Sequence, residues 1–246
     1  AEEYQQQAAA DAEAGDIYFT LSQYDSARRS YSEALKISQD PEKRCRALSR
    51  IARTYAATGP LSQVERYANQ ASDLCQNLSP VAQAEALEAR GEALDFAGDR
   101  PNSEDAFRRA RDLYASAKDE NGEARTLLML AYSDLFSGDR QVQGLELAQR
   151  ALQLWSSTGH SYGPARMRSV LGTFAISRGE FETAQCNYKI AKPVFHELGN
   201  RDEEASVLNG LGFVSRETGD WQKSLEYYRK ARAMFATVHD MQGEHE

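Results

Sequence analysis

A glycine returns at almost equal intervals along most of this chain, and this recurrence restricts the fold more than any other feature of the sequence. Successive copies are 39, 40, 41 and 40 residues apart, and a charged residue follows four of the five. The recurring glycines are Gly59, Gly98, Gly138, Gly179 and Gly219. Self-similarity at such a period indicates a repeat architecture, in which each repeat is one supersecondary unit packed against its neighbours.

Two further positions keep register with the recurring glycine. A small residue lies seven positions before it, and an alanine lies about twelve positions after it, usually with an aromatic residue three positions before that alanine. In the last copy the small residue is Gly212 and the aromatic residue is Tyr228. Gly15 and Tyr31 fit the same register at the start of the chain, where Ser22 stands in place of the glycine.

This register predicts a helix hairpin in each repeat. Small residues let two helix backbones approach closely, and an aromatic side chain three residues before an alanine lies on the same helical face. The glycine between the helices supplies the positive φ of the turn. Apolar residues recur at spacings of three and four, and strand-like alternation is nearly absent. We therefore expect about twelve antiparallel helices, no sheet and a helix content of about 75–80%, far above the globular norm.

The pattern resembles the tetratricopeptide repeat family, with a period near 40 that is typical of its long-repeat subtype. The residues that carry the resemblance are Leu171, Gly172, Gly179, Phe181, Ala184, Tyr188, Ala191, Leu211, Gly212, Gly219, Asp220, Trp221, Ser224, Tyr228 and Ala231. The resemblance implies an all-α fold, a right-handed superhelical solenoid of antiparallel helix hairpins. A single solenoid would fill residues 1–246, with six hairpins at about 5–40, 43–78, 82–118, 122–159, 163–199 and 203–238.

The resemblance also implies a function. It points to a non-enzymatic protein–protein interaction module, in which the first helix of each hairpin lines a concave groove that binds a peptide segment of a protein partner. Two alternatives stay open. The chain could be the sensor or regulatory segment of a larger effector, such as a protease or a transcription activator, or it could be a structural spacer that assembles with copies of itself.

The residues that the resemblance assigns to the groove are Arg46, Arg53, Leu128, Tyr132, Leu135, Ile176, Asn209, Phe213 and Arg216. Arg46, Arg50 and Arg53 form a basic stripe that could bind an acidic ligand group, or could pair with Asp16, Glu88 and Glu92 of neighbouring hairpins. The apolar members could anchor a ligand, or could simply pack against neighbouring helices. The sequence leaves both pairs of interpretations open.

Catalytic and metal sites are not indicated. The sequence has no phosphate-binding glycine loop, no nucleophile elbow and no zinc-type spacing of Cys or His, so we expect no enzyme activity, no metal and no cofactor. Asp134 stands where other repeats place Tyr or Leu. A buried carboxylate needs hydrogen-bond partners, so we expect either a local register shift or a tyrosine partner.

The net charge argues against two classes of partner, and the hydropathy argues against a membrane-spanning segment. The net charge is −8, from 29 basic and 37 acidic residues, which argues against binding of nucleic acid or anionic membranes. The longest dense apolar run, residues 127–132, is far shorter than a membrane span.

Three cysteines, Cys45, Cys75 and Cys186, do not make a disulfide scaffold. Cys45 and Cys75 are predicted at the open end of one hairpin, and two independent packed thiols are favoured over a bridge. The chain shows no targeting segment, which favours a cytoplasmic location. The last hairpin carries no polar cap, so we expect a fragment of a longer protein, with self-association through this hairpin as a further expectation.

Overall fold

The structure is a computed structural model that describes residues 2–243. Within these residues there is no strand, and twelve helices make up 85% of the chain. They are α1 (Glu2–Thr20), α2 (Tyr24–Ile37), α3 (Pro41–Thr58), α4 (Leu61–Cys75), α5 (Pro80–Phe96), α6 (Arg100–Ser116), α7 (Glu120–Leu135), α8 (Gln141–Thr158), α9 (Tyr162–Ser177), α10 (Phe181–Leu198), α11 (Arg201–Glu217) and α12 (Trp221–Gly243). The all-α prediction is confirmed, and two consecutive helices occupy each of the six predicted hairpin ranges.

The helices belong to two compact units, an N-terminal unit of residues 1–130 and a C-terminal unit of residues 131–246, with the division inside α7. In the N-terminal unit α1 packs on α2, α3 on α4 and α5 on α6, and α3 also packs directly on α5. In the C-terminal unit α9 packs on α10 and α11 on α12. The first helices of these hairpins are α1, α3, α5, α7, α9 and α11.

The turns inside the hairpins follow the predicted glycines only in part. Gly98 has a φ of 82°, Gly179 of 73° and Gly219 of 83°, as the register predicts. The prediction is wrong for Gly59, whose φ is −105° and whose ψ is 178°. Pro60 follows it, and the residue before a proline is held in extended backbone by the proline ring.

In four hairpins the two helices approach closely where the register predicts, at Gly15, Gly91, Gly172 and Gly212. A Cβ atom built on Gly91 would lie 2.6 Å from the ring of Phe107, and one built on Gly172 would lie 2.7 Å from the ring of Tyr188. The Tyr188 ring also faces Gly210 of the next hairpin, where a Cβ atom would lie 2.6 Å away. The ring is therefore enclosed by two helix backbones, and nothing larger than hydrogen fits at either glycine.

Replacing Gly172 by alanine should lower the free energy of unfolding by about 1–3 kcal/mol, because the added methyl group overpacks the Tyr188 contact. Gly138 is the matched control, since a Cβ atom there meets nothing within 4 Å and its alanine variant should stay within about 0.5 kcal/mol of the parent. Denaturant unfolding followed by circular dichroism measures both. Equal stability of the two variants would contradict the packing account.

A disulfide joins Cys45 at the start of α3 to Cys75 at the end of α4, with Cα atoms 5.7 Å apart. The expectation of two independent thiols is therefore wrong, because the hairpin brings the two side chains within bridging distance. Both cysteines lie in a core cluster with Leu48, Ala71 and Ala82. Disulfides persist in oxidising compartments and are rare in reducing ones, which argues against the cytoplasmic location expected from the sequence.

Replacing both Cys45 and Cys75 by alanine should destabilise the protein by about 3–4 kcal/mol, the loop-closure entropy of a bridge that spans 30 residues. Cys186 is exposed and unbridged, so its alanine variant should unfold like the parent. Alkylation of the denatured, unreduced protein should label one thiol, counted by mass spectrometry. Three labelled thiols would dismiss the bridge.

Candidate functional site

Ion pairs connect the first helices of the N-terminal unit in a network that we call the charge ladder. Its acidic members stand on α1 and α5, and its basic members stand on α3 and α7. They are Asp16, Arg46, Arg50, Arg53, Glu85, Glu88, Glu92 and Arg125. The three- and four-residue spacing within α3 and α5 places each set on one side of its helix.

Glu88 is the centre of the ladder and is completely buried. Arg125 donates to both carboxylate oxygens, at 2.5 Å to Oε1 and 2.7 Å to Oε2. Tyr114 donates its hydroxyl to Oε2 at 2.9 Å, and Arg53 lies 3.3 Å from Oε1. A buried carboxylate is tolerated only when it is paired and hydrogen-bonded in this way.

The surroundings of Glu88 change its pKa in opposite directions. Burial raises the pKa, but the adjacent guanidinium groups of Arg125 and Arg53, together with the hydrogen bonds from Arg125 and Tyr114, lower it from 4.5 to about 2 overall. Burial also raises the pKa of Tyr114, whose hydroxyl therefore stays protonated as a donor. The carboxylate of Glu88 is charged at every physiological pH.

Acid should weaken the N-terminal unit through Glu88. Because the folded-state pKa lies below the unfolded value, the stabilisation is present above about pH 4.5 and is lost as the pH falls towards 2. The difference corresponds to about 3 kcal/mol. The stability gap between the parent and a Glu88→Gln variant should therefore shrink between pH 5 and pH 2 in denaturant titrations.

Glu33→Gln is the matched control, since Glu33 pairs with Lys36 on an exposed surface. An exposed pair contributes little to stability, so its variant should follow the pH profile of the parent. Parallel profiles for the parent and Glu88→Gln would show that Glu88 does not carry this pH dependence.

Most arginines of the basic stripe on α3 are paired within the remainder of the charge ladder. Arg50 pairs with Asp16 at 2.8 Å, and Tyr31 donates to the same carboxylate at 2.7 Å. Arg53 donates to Glu92 at 2.9 Å, and only 14% of its side chain is exposed. The interpretation of this stripe as ion pairs between hairpins therefore describes Arg50 and Arg53. Arg46 differs, because 44% of its side chain remains exposed.

The first helices of the C-terminal unit expose aromatic side chains as well as charged ones. Tyr132 is 52% exposed and Phe136 is 37% exposed, and their ring centroids are 5.1 Å apart. Phe136 also meets the buried ring of Phe174 edge-on, at 6.2 Å. Arg178 lies over the Phe174 ring with its guanidinium carbon 5.6 Å from the centroid. Phe136 was not among the residues assigned from sequence, because it follows the last residue of α7.

The same face of α11 carries the other accessible residues that the resemblance assigns. Phe213 is half-buried and Asn209 is exposed. Arg216 lies over the Phe213 ring at 4.6 Å and pairs with its neighbour Glu217 at 2.9 Å. Asn209 forms no side-chain hydrogen bond within residues 2–243. Together with Tyr132 and Phe136, these three residues define what we call the aromatic face.

Two residues assigned to the groove are not available on it. Leu128 and Leu135 are 4% and 0% exposed, so their side chains belong to the core. A leucine on the flank of a helix is better removed from water by a neighbouring helix, and the assignment of these two residues as ligand contacts is corrected accordingly. Ile176 is partly buried beside the core cluster around Phe195, and its assignment stays a prediction.

Comparison with known protein families identifies the fold that carries these residues. Residues 12–41, which include the end of α1 and all of α2, match the tetratricopeptide repeat family model. The chain has the tetratricopeptide-repeat fold. No curated protein sequence matches it, and its long-repeat subtype stays a prediction.

Solved structures extend the likeness over nearly the whole chain. BtubC (BKLC) from P. vanneervenii has a TM-score of 0.62 at 16% identity, with 96% of this chain and 92% of that chain covered. A Rap protein complexed with Competence and Sporulation Factor has a TM-score of 0.72 at 12% identity, with 96% and 65% covered. A STAND protein with a tetratricopeptide repeat sensor from Pyrococcus horikoshii has a TM-score of 0.64 at 15% identity, with 98% and 41% covered. The chain thus spans less than two thirds of the last two proteins, and at these identities the likeness shows the fold alone.

One buried ion pair does not follow from the tetratricopeptide-repeat pattern. Asp134 is buried and pairs with Arg140 at 3.1 Å. Arg140 lies in the turn of the repeat that has one extra residue. A small residue, Gly144, lets α8 approach Asp134 closely. Sequence reasoning missed this pair because the turn that carries Arg140 departs from the register of the other repeats.

Among the side chains that the structure describes, those of residues 3–236, no cluster of three or more Cys, His, Asp or Glu is arranged to hold a metal ion. Within the same residues, no helix combines the length and the apolar character that a bilayer crossing requires.

Proposed function

We propose that this tetratricopeptide-repeat chain is a non-enzymatic protein–protein interaction module that binds a peptide segment on its first-helix surface, with the aromatic face as its main contact region. The observation that carries the proposal is the exposure of Tyr132 and Phe136 side by side. Water disfavours such a pair at a surface, and aromatic side chains are the residues that most often dominate binding energy at interfaces.

The neighbours of these rings suit an extended peptide. The amide of Asn209 offers one acceptor and two donor hydrogens, enough to bond both polar groups of a peptide unit. Arg216 has its guanidinium over Phe213 and 44% of its side chain exposed, so it can pair with an acidic ligand residue. The partner would therefore present apolar anchors flanked by acidic groups.

Two of the similar structures support a ligand-binding role. The Rap protein is complexed with Competence and Sporulation Factor, and the STAND protein uses its tetratricopeptide repeats as a sensor. The second of these favours the alternative in which the chain is the sensor segment of a larger effector. Both roles need a ligand on the repeats, so the aromatic face is tested in the same way for each.

Self-assembly is the remaining alternative. On α12, Trp221 is 68% exposed and Leu225 is 51% exposed, one helical turn apart. Tyr227 and Phe235 of the same helix are half-buried. Self-association through this hairpin stays a prediction, and its apolar surface would lie at Trp221 and Leu225.

Truncating Tyr132 or Phe213 to alanine should weaken peptide binding by about 1–3 kcal/mol, the range of an interface anchor, with unchanged helicity. The ligand is a peptide selected from a phage-displayed random library on the parent protein, and its affinity is measured by calorimetry. Trp221→Ala is the control, because it removes an exposed ring from the second helix of a hairpin.

The proposal would be contradicted if both variants bound the selected peptide as tightly as the parent, or if Trp221→Ala lost as much affinity as they do. In the second case the surface of α12 would be the binding region. Circular dichroism of each variant excludes a loss of fold as the cause of weaker binding.

A further inference from the structure

A pocket of about 260 Å³ lies in the N-terminal unit, between α1 and α3, with α2 as its floor. Its apolar lining consists of the Tyr31 side chain and five alanines, Ala8, Ala9, Ala12, Ala34 and Ala47. The volume is just below the range of pockets that take drug-sized molecules. It suits one aliphatic side chain with its adjoining backbone.

The pocket results from the alanine content of α1. On this face α1 presents Ala8, Ala9 and Ala12, whose side chains end at Cβ, and the space beyond these methyl groups is left open. Burial of a small aliphatic group here would remove apolar surface of both the ligand and the pocket from water. The gain in free energy is about 25 cal/mol per Å² of buried apolar surface. The alanine lining therefore favours a compact apolar group over an aromatic one.

Some of the charged side chains around the pocket already form close ion pairs in the charge ladder, and others do not. Asp16 and Arg50 satisfy each other at 2.8 Å. Arg46 lies 3.7 Å from Glu85, beyond hydrogen-bond distance, and Oε2 of Glu85 is buried without a hydrogen-bond partner. The N–H donors of Arg46 are therefore still available to a ligand.

Two more charged residues line the pocket without partners in the described part of the chain, Lys43 on the α3 side and Glu13 on the α1 side. Lys43 and Arg46 together form a cationic edge that complements a carboxylate. Glu13 stands on the other wall, where it can accept a hydrogen bond from a backbone N–H. One wall of the pocket is therefore cationic, and the opposite wall carries a carboxylate.

We propose that this alanine-lined pocket is a second peptide subsite, which holds a small aliphatic side chain while Lys43 and Arg46 bind the carboxylate of an acidic residue beside it. The inference rests on the proposed function, because it names the chemistry of one segment of the peptide ligand. It differs from the aromatic face in location and in the residues that it selects. A valine or leucine next to aspartate or glutamate fits it.

The probe for this subsite is the capped peptide acetyl-Gly-Val-Asp-Gly-amide, titrated into protein with isotope-labelled alanine methyl groups. We expect NMR shift changes at the methyl groups of Ala8, Ala12, Ala34 and Ala47. The matched peptide with Asn in place of Asp should bind about tenfold more weakly, since each exposed ion pair contributes up to about fivefold. Equal binding of the two peptides, or shifts only at other alanines, overturns the inference.

Substitutions test whether the NMR shift changes come from binding in this pocket. Ala12→Leu fills the pocket and should abolish the shifts, whereas Ala10→Leu, on the exposed side of the same helix, should leave them. Because Ala12→Leu can disturb packing, a second variant with Lys43→Gln and Arg46→Gln is tested as well. In it the Asp and Asn peptides should bind equally, and a preserved preference for Asp overturns the inference.

The two proposals fail in different ways. If the phage-selected ligand loses affinity in Tyr132→Ala but keeps it in Ala12→Leu, and the capped peptide shifts none of the four methyl groups, the proposed function stands and the subsite is overturned. If the capped peptide shifts those methyl groups while Tyr132→Ala and Phe213→Ala bind the selected ligand normally, the subsite stands and the aromatic face is overturned.

Discussion

Each hairpin depends on the close approach of two helices at a residue that has almost no side chain. The ring of Tyr188 fills the space that Gly172 and Gly210 leave open, and Phe107 does the same at Gly91. A contact this tight fixes the distance between the helices, because interiors are packed like organic crystals. The outward faces of the first helices, and so every candidate binding group, take their positions from it.

Charge acts differently in the two units. In the N-terminal unit, Glu88 is buried and held by Arg125 and Arg53, so the ladder uses charge to join one hairpin to the next. In the C-terminal unit, the ion pair of Arg166 with Glu203 is longer and more exposed, and the first helices also expose rings such as Tyr132. The N-terminal unit is therefore sensitive to protonation of its carboxylates, whereas contacts on the aromatic face depend mainly on removing apolar surface from water.

The sequence was sufficient to predict the fold because small and aromatic residues recur in one register. The same register determines how the two helices of a hairpin pack. It was insufficient wherever the outcome depended on relations between helices. The burial of Leu128 and Leu135, the disulfide of Cys45 with Cys75 and the pair of Asp134 with Arg140 all depend on inter-helix distances that periodicity along one helix does not contain.

The charge ladder restricts how this array could have grown. Its sign alternates from one first helix to the next: Asp16 on α1 is acidic, Arg50 on α3 is basic, Glu88 on α5 is acidic and Arg125 on α7 is basic. Loss of the single hairpin α3–α4 would bring two acidic helices together, and duplication of one hairpin would place like charges side by side. Gain or loss of hairpins in pairs would preserve the alternation, so the two-hairpin segment is the unit in which this part of the chain can be lengthened or shortened.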